Sequence, residues 1–372
     1  MDQPLWPGVP PLPPLPPPLP QAPPPLPERR HQPQFTGTAR EFFGIWFVNL
    51  ILSILTLGIY SAWAKVRTER YFYSNTRLAG STFDYIANPI AILKGRLIAY
   101  AVVIVLVVSN HFLPLMYLLI FVFLFLLMPA FIVLSLRFRA RNSVWRGIGF
   151  RFDQPISEGY MPFMMWRLIS SMTLGLLSPL AQLKQQEFVV EGHRYGTRRF
   201  RFKGDLGQYY LQFVIALGTG IGTAIVLISV AVLVALLVKH FTASDGATIF
   251  ASGFLVALSI VYLLVFVLMA FLQVRYTNLL WRNASLGPHT FESTLRARDV
   301  LWIYASNALA IVFSLGLAVP WAMIRLARYR ARHWALLAMG DLDDFAASSD
   351  MNVRATGAEL VEALDAGLDF GI

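Results

Sequence analysis

The sequence has 372 residues, of which 56% are hydrophobic and 14% are charged, and its mean hydropathy is +0.56. Soluble domains carry roughly 25% charged residues, so this composition excludes an ordinary soluble protein and predicts that most of the chain lies in lipid. The net charge is +10, and the absence of cysteine excludes disulfides, thiolate metal sites and cysteine nucleophiles. A basic excess in a membrane protein is typical of loops near anionic headgroups, and we expect no nucleic-acid partner.

The first 34 residues contain 15 of the 23 prolines. Proline runs favour extended polyproline II and form neither helices nor sheet ladders. We therefore predict that residues 1–34 are a disordered tail. This tail is either a spacer or the ligand of a protein partner that recognises proline-rich segments.

Long uncharged runs predict four membrane-spanning helices. Residues 97–136 hold no charged side chain and are long enough for two crossings, with a turn near residues 110–114. Residues 206–238 and 246–274 form a second pair of uncharged runs. No acid lies inside these four spans, so we do not expect proton coupling through a buried carboxylate.

Three further apolar stretches, residues 42–64, about 159–183 and 300–324, share a motif around a glycine. The three copies read Thr56-Leu57-Gly58-Ile59-Tyr60-Ser61-Ala62-Trp63-Ala64, Thr173-Leu174-Gly175-Leu176-Leu177-Ser178-Pro179-Leu180-Ala181 and Ser314-Leu315-Gly316-Leu317-Ala318-Val319-Pro320-Trp321-Ala322. Such self-similarity is typical of a duplicated structural unit, and we call the three copies the modules. With the four spans they predict an all-α, polytopic integral membrane protein of about seven membrane-embedded segments.

The repeats also predict the domain organisation. A repeated membrane domain covers residues 35–340, in units of about residues 35–140, 141–276 and 277–340. An acidic tail with eight acids and one arginine follows at residues 341–372. Apolar residues at helical spacing predict a short amphipathic helix at residues 358–368 of this tail.

Glycine and proline interrupt each module, because proline lacks the N–H donor and glycine lowers helix stability. The candidate helix-break residues are Gly58, Gly175, Pro179, Gly316 and Pro320. Transporters place broken helices at binding sites; the competing interpretation is a plain helix end at the interface, beside an aromatic belt. The candidate polar residues within the membrane are Asn49, Arg167 and Asn307.

Basic residues flank the modules on both sides, whereas the turns near residues 110 and 245 carry almost none. By the positive-inside tendency, both ends of each module and both tails lie in the cytoplasm. A module then either dips into the membrane and returns or, if the tendency fails locally, is a true span in a protein of seven crossings. Basic side chains that follow the modules bind anionic lipid headgroups or only fix the topology, and the candidate headgroup contacts are Lys65, Arg67, Arg70, Arg325 and Arg328.

The first module and its flanks resemble the YjgN-like family of bacterial inner-membrane proteins. The residues that carry the resemblance include Phe35-Thr36-Gly37, Trp46, Asn49, the run from Thr56 to Arg67, Tyr71, Asn75-Thr76, Gly80 and Phe83-Asp84-Tyr85. The resemblance covers residues 35 to about 346. It implies a multi-pass protein of the bacterial cytoplasmic membrane, and it carries over no catalytic or binding residue because the family's function is unknown. The second module departs from the pattern at Leu180 and Glu187.

Motifs of catalysis and cofactor binding are not recognisable in the sequence. The six histidines are scattered, and Gly218, Gly220 and Gly222 lie in a predicted span rather than after a soluble strand. We expect no enzymatic activity, no cofactor and no metal. The repeats and interrupted helices favour movement of a small solute or lipid across or within the bilayer. The alternative is a structural protein that organises anionic lipids or partner proteins.

Overall fold

The fold is seen in a computed structural model that describes residues 28–241, 246–340 and Leu342. The first 27 residues of the predicted proline-rich tail lie outside the described residues, as do residues 343–372 of the acidic tail with their amphipathic segment. In the described part, strands and helical hairpins alternate along the chain.

The strands are β1 (Glu28–His31), β2 (Gln34–Phe35), β3 (Thr76–Leu78), β4 (Ser81–Tyr85), β5 (Ser143–Trp145), β6 (Ile148–Phe152), β7 (His193–Tyr195), β8 (Arg198–Phe202), β9 (Ala284–Leu286), β10 (His289–Ser293) and β11 (Trp334–Met339). The α-helices are α1 (Ala39–Leu55), α2 (Ser61–Ser74), α3 (Pro89–Phe112), α4 (Pro114–Arg141), α5 (Ile156–Tyr160), α6 (Trp166–Met172), α7 (Ser178–Gly192), α8 (Leu206–Phe241), α9 (Gly246–Asn283), α10 (Ala297–Phe313) and α11 (Val319–Arg332). A π-helical turn at Met161–Met165, which contains Pro162, joins α5 to α6.

The strands form one sheet, and the prediction of an all-α fold is therefore wrong. The order is β1-β11-β10-β9-β8-β7-β6-β5-β4-β3-β2, and the neighbouring strands pair antiparallel. The two edge strands, β1 and β2, are separated in sequence only by Gln32 and Pro33. Three Cα–Cα steps of about 3.8 Å bring the two edges within roughly 11 Å of each other. The sheet therefore curls like a barrel wall, with a seam between β1 and β2.

Each helical hairpin connects two neighbouring strands of the sheet. The modules are short hairpins that link β2 to β3, β6 to β7 and β10 to β11, and two long hairpins link β4 to β5 and β8 to β9. Two-residue turns connect the strands at their other ends. All helices thus leave the sheet at one end, which we call the membrane end, and the turns lie at the opposite end, which we call the rim.

The long hairpins supply four helices that are able to span a membrane, which confirms the four predicted spans. Their apolar segments are Pro89–Phe112, Pro114–Arg141, Leu206–Val234 and Leu255–Asn283, with mean hydropathies between 2.3 and 3.0. The module helices are too short for a crossing: α1 and α10 have 17 residues, and α2 and α11 have 14, whereas about 20 are needed. Within the described residues, the seven predicted segments thus comprise four helices that are able to span a membrane and three shorter hairpins that return to the sheet.

The helix break in each module is a closed turn that repeats with the same backbone angles. Leu57, Leu174 and Leu315 have φ values of 51°, 52° and 51°, and the glycines that follow them have φ values of 90°, 85° and 92°. Two backbone hydrogen bonds close the first helix of each module. In the first module, the Gly58 N–H donates to the Ser53 carbonyl (2.7 Å) and the Leu57 N–H donates to the Ile54 carbonyl (3.1 Å). This is a Schellman motif, in which glycine usually occupies the left-handed position that leucine takes here.

A hydroxyl at the tip of each module starts the second helix. The Tyr60 N–H donates to Thr56 Oγ1 (2.9 Å), and the Ala318 N–H donates to Ser314 Oγ (2.8 Å). Pro179 and Pro320 lie in the first turns of α7 and α11, where a missing N–H costs no hydrogen bond. The breaks therefore leave few backbone groups unsatisfied, and their glycines lie at hairpin tips.

Candidate functional site

The curled sheet and the membrane-end helices enclose a cavity of about 660 Å³, which we call the lumen. Strand side chains alternate between the two faces of a sheet, so every second residue of the short strands faces the lumen. The strand residues that line it are mostly apolar: Leu78, Phe83, Trp145, Phe150, Tyr195, Phe200, Leu286, His289, Phe291, Ser293, Trp334 and Leu336. The helix residues that close it include Phe72, Gln273, Thr277, Trp281, Tyr304, Leu326, Ala327 and Arg330.

Aromatic rings contact each other in two runs along the wall of the lumen. Trp145 lies between Phe83 (5.8 Å between ring centroids) and Tyr195 (5.5 Å). On the other side, Phe291 lies between Phe200 (5.9 Å) and Trp334 (5.7 Å). Offset and edge-on ring contacts of this length stabilise a wall beyond its buried area. The lumen is thus a preformed cavity with an apolar surface.

Few polar groups face the lumen, and His289 on β10 is the most buried of them, with 2% of its surface exposed. Its Nδ1 accepts a hydrogen bond from the Met339 N–H (3.2 Å), which leaves the proton of the neutral ring on Nε2. Burial, and then the charge of Arg198, lower the pKa of His289. At the rim, the Tyr195 hydroxyl donates to the Trp145 carbonyl (2.9 Å), and burial raises the pKa of this phenol.

Helix α11 separates the lumen from a second cavity of about 480 Å³, which we call the arginine pocket. Leu326, Ala327 and Arg330 line the lumen, whereas the opposite side of α11 carries the pocket's cations. The pocket is lined by Ala39, Asp299, Trp302, Ile303, Trp321, Ile324, Arg325, Arg328, Tyr329, Arg332 and His333. Three guanidinium groups against one carboxylate leave it positive, and exposed indoles such as Trp302 are typical of a membrane interface.

Two of the pocket's arginines are held in place by hydrogen bonds. Arg325 Nη1 donates to Ser306 Oγ (2.6 Å) and Asn307 Oδ1 (3.0 Å), and its guanidinium carbon lies 5.1 Å from the centre of the Trp321 ring. Arg328 Nη2 donates to the Gly37 carbonyl (2.8 Å), which ties α11 to the start of the first module.

A third cavity of about 370 Å³ lies at the seam of the sheet and touches both of the others. It shares Arg328 and Arg332 with the arginine pocket and Phe35 and Ala331 with the lumen. The Gln32 side chain donates a hydrogen bond to the Arg332 carbonyl across this seam cavity. The seam cavity therefore adjoins both the positive pocket and the apolar lumen.

The structure separates the five predicted headgroup residues into distinct places. Arg325 and Arg328 meet in the arginine pocket. Lys65 lines another cavity, of about 380 Å³, together with Arg96 and Arg139. Arg67 Nη1 donates to the Tyr60 hydroxyl (3.3 Å), and Arg70 Nε donates to the Tyr85 carbonyl (3.2 Å).

The three predicted polar membrane residues lie in different modules, and each bonds within its own hairpin. Asn49 Nδ2 donates to the Ala64 carbonyl (3.4 Å), and Asn307 Nδ2 donates to the Ala322 carbonyl (3.3 Å). Arg167 Nη2 donates to Gln182 Oε1 (3.2 Å) and also contacts Gln185. The structure does not bring these three side chains together in one cavity.

The first and third modules share the asparagine but differ in its hydrogen bonding. Asn307 Oδ1 accepts from Arg325, whereas Asn49 Oδ1 is buried and has no partner among the described residues. Ser306, which also holds Arg325, is replaced by Val48 at the equivalent place. In the second module, Trp166 stands in place of the asparagine. The repeat thus keeps its backbone while its polar contacts diverge.

Within the part of the chain that the structure describes, no three His, Asp or Glu side chains are placed to hold a metal ion.

A family model for a bacterial protein of unknown function, DUF898, matches residues 30–363. The chain belongs to the DUF898 family. It is 26% identical to the inner membrane protein YjgN of Salmonella typhimurium over 367 residues, which cover 86% of this chain and 91% of that protein. It is 23% identical to the YjgN protein of Escherichia coli K12 over 361 residues, which cover 84% and 90%. No solved structure matches the chain.

These matches confirm the YjgN-like resemblance that the first module carries. Relatives that are inner membrane proteins, together with four helices able to span a membrane, establish a multi-pass inner-membrane protein. The lumen residues were not among the predicted site residues. The alternation Arg199-Phe200-Arg201-Phe202 was the signal that could have found them, because Phe200 lines the lumen, Phe202 is buried on the same face of β8, and the two arginines are exposed.

Proposed function

We propose that this protein binds a membrane lipid, with an acyl chain in the lumen and an anionic headgroup at the arginine pocket, and moves this lipid between the bilayer and the lumen. The single observation that carries the proposal is the aromatic lumen of about 660 Å³. Sites for small molecules usually have about 300–1,000 Å³ and mostly apolar walls, and an acyl chain matches such a wall.

The cavities around α11 give the headgroup a place. A phosphate at the arginine pocket would meet Arg325, Arg328 and Arg332, and the seam cavity adjoins both this pocket and the lumen. Each basic residue near a membrane surface contributes about 1 kcal/mol to the attraction of anionic lipids. The positive flanks of the modules favour a cytoplasmic sheet, so the lipid would come from the cytoplasmic leaflet.

The geometry favours a lipid over a small polar solute. A polar solute needs hydrogen-bonding groups along its path, but Asn49, Arg167 and Asn307 each bond within separate modules. The described spans instead present apolar surfaces, since at most 11% of each apolar window is buried. We therefore narrow the expected solute-or-lipid movement to lipid.

The test fills the lumen with a large side chain. Ala327→Trp places an indole in the lumen, and the matched control Ala308→Trp adds the same indole at an exposed position of α10. Each protein is purified from membranes in a mild detergent, and the phospholipid that remains bound per chain is counted by mass spectrometry. We expect Ala327→Trp to lose at least threefold of the retained lipid and Ala308→Trp to keep it. Equal retention in both variants would refute the lumen as the binding site.

A second measurement separates movement from organisation. Vesicles are prepared with the wild-type protein or with the Ala327→Trp variant, and fluorescent phospholipid is placed in the leaflet on the side of the sheet. We expect this phospholipid to leave that leaflet at least threefold faster with the wild-type protein. If lipid is retained but its movement is not accelerated, the movement part of the proposal is wrong. The alternative of a protein that organises anionic lipids then takes its place.

A further inference from the structure

The outer face of the sheet carries a row of arginines in register. Arg151 on β6 lies opposite Arg194 on β7, which lies opposite Arg199 on β8. Arg201 follows two residues along β8, on the same face. Directly opposed Cβ atoms are about 4.5–5.5 Å apart, so the first three cations lie within roughly 10 Å. We call these four residues the arginine row.

The arginine row is electrostatically unfavourable by itself. Like charges on opposed strands destabilise a sheet. In the described residues, the acid that forms a salt bridge with the row is Asp153, whose Oδ2 lies 2.8 Å from Arg194 Nε. Arg151, Arg199 and Arg201 are exposed. An anionic partner of several charges would relieve this repulsion.

The chain itself contains a segment of complementary charge. Residues 343–372 hold seven acids and one arginine. Leu342, just before this segment, is buried in the cluster that includes Trp145 and Tyr195. Strand β11 runs from the membrane end towards the rim, so the segment begins at the rim.

The segment is long enough to reach the row. Strands β11 and β7 are four positions apart in the sheet, which is about 19 Å at about 4.8 Å per strand. Thirty residues can reach at most about 100 Å when fully extended, so the length of the segment exceeds this distance several-fold. Tethering at this length gives an effective concentration of the order of millimolar, which an untethered partner rarely reaches.

We propose that residues 343–372 dock on the arginine row of the same chain. This inference is independent of lipid binding. The partner of the arginine row is then the acidic segment of the same chain. An anionic membrane surface also carries negative charges and is the competing partner that the test below distinguishes. The tethered segment is favoured because its charge is complementary to that of the row and because it begins at the rim of the same sheet.

The absence of native cysteine makes a direct test possible. Ser285, on the outer face opposite Arg201, and Ala366 in the segment are changed together, as Ser285→Cys and Ala366→Cys, in the full chain. The rate of cross-linking with a short bifunctional thiol reagent is measured in nanodiscs of neutral lipid. We expect the rate to fall at least fivefold in 1 M salt, where charges are screened beyond about 3 Å.

Charge reversal identifies the partners. Arg151→Glu, Arg199→Glu and Arg201→Glu together should lower the cross-linking rate at least fivefold, and Glu359→Lys, Glu362→Lys and Asp365→Lys in the same chain should restore it. The matched control reverses two exposed arginines away from the row, Arg29→Glu and Arg77→Glu, and should leave the rate unchanged.

An unchanged rate in the triple reversal would overturn the proposal. If, in addition, the triple reversal weakened the association of the nanodisc-embedded protein with vesicles that contain phosphatidylglycerol, the partner of the row would be an anionic membrane surface. The row would then face the membrane.

Discussion

The module tips hold leucine where the backbone favours glycine. Leu57, Leu174 and Leu315 have positive φ values, and between 92% and 96% of each side chain is exposed. A left-handed conformation costs about 1–2 kcal/mol for a non-glycine residue. Burying a leucine side chain in an apolar medium contributes about 1.5–3 kcal/mol. Immersion of the tips in lipid, which the interpretation of the modules as hairpins that dip into the membrane predicts, would offset this strain.

The strain at the tips is testable with a β-branched residue. Leu57→Val keeps an apolar side chain but is more strained at a φ of 51°. We expect it to lower the free energy of unfolding in detergent by about 1–2 kcal/mol. The control, Leu55→Val, changes an exposed residue of α1 with ordinary helical angles, and should cost no more than about 0.5 kcal/mol. Equal costs at the two positions would show that the tip is not strained.

At the scale of the elements, two histidines of the sheet predict a pH dependence: His289 is buried and His193 is half-buried. Burial is the main cause that lowers the pKa of both His193 on β7 and His289 on β10. Each is neutral in the fold, and protonation at Nδ1 would remove the acceptor for the Met339 N–H at His289. Because the unfolded chain binds the proton more readily, this contribution is complete above the usual pKa of about 6.5 and is lost as the pH falls below it.

The measurement is the midpoint of thermal unfolding in detergent between pH 7.5 and pH 5.5. We expect a fall with decreasing pH that His193→Gln with His289→Gln reduces by at least half, while the exposed His111→Gln keeps the wild-type slope. A slope that the double variant leaves unchanged would assign the pH dependence to other groups.

The sequence predicted the helices well because their signal is local. Uncharged runs predicted the four helices that are able to span a membrane, and the repeated glycine marked the exact position of each module tip. The strands were missed because β3, β5, β7 and β9 have only three residues each. A period of two cannot be recognised in so short a run, and pairing partners across a helical hairpin lie as far apart in sequence as Phe200 and Leu286.

Weak traces of the strands were nevertheless present in the sequence. Asn75-Thr76 with Gly80 and Asn142-Ser143 with Gly147 repeat, and both glycines have positive φ in two-residue turns. Such turns connect hairpin strands. The lumen could not be predicted, since its wall brings together residues from Phe35 to Leu342.

At the scale of the whole molecule, one sheet gathers the ends of five helical hairpins. Two long hairpins and three short ones all start and finish at the membrane end of the sheet. This arrangement accounts for the basic residues on both sides of every module, whereas seven simple crossings would require the positive-inside tendency to fail at each module. Lipid binding in the lumen requires that the sheet lies wholly on one side.

The most direct test of this architecture places single cysteines in intact cells, at Arg40→Cys and Ser74→Cys on the two ends of the first module and at His111→Cys in the turn between α3 and α4. Each is labelled with a membrane-impermeant thiol reagent before and after permeabilisation. We expect His111→Cys to be labelled from outside, and Arg40→Cys and Ser74→Cys to be labelled only after permeabilisation. Labelling of either module end from outside would show that the module crosses the membrane and would contradict a sheet on the cytoplasmic side.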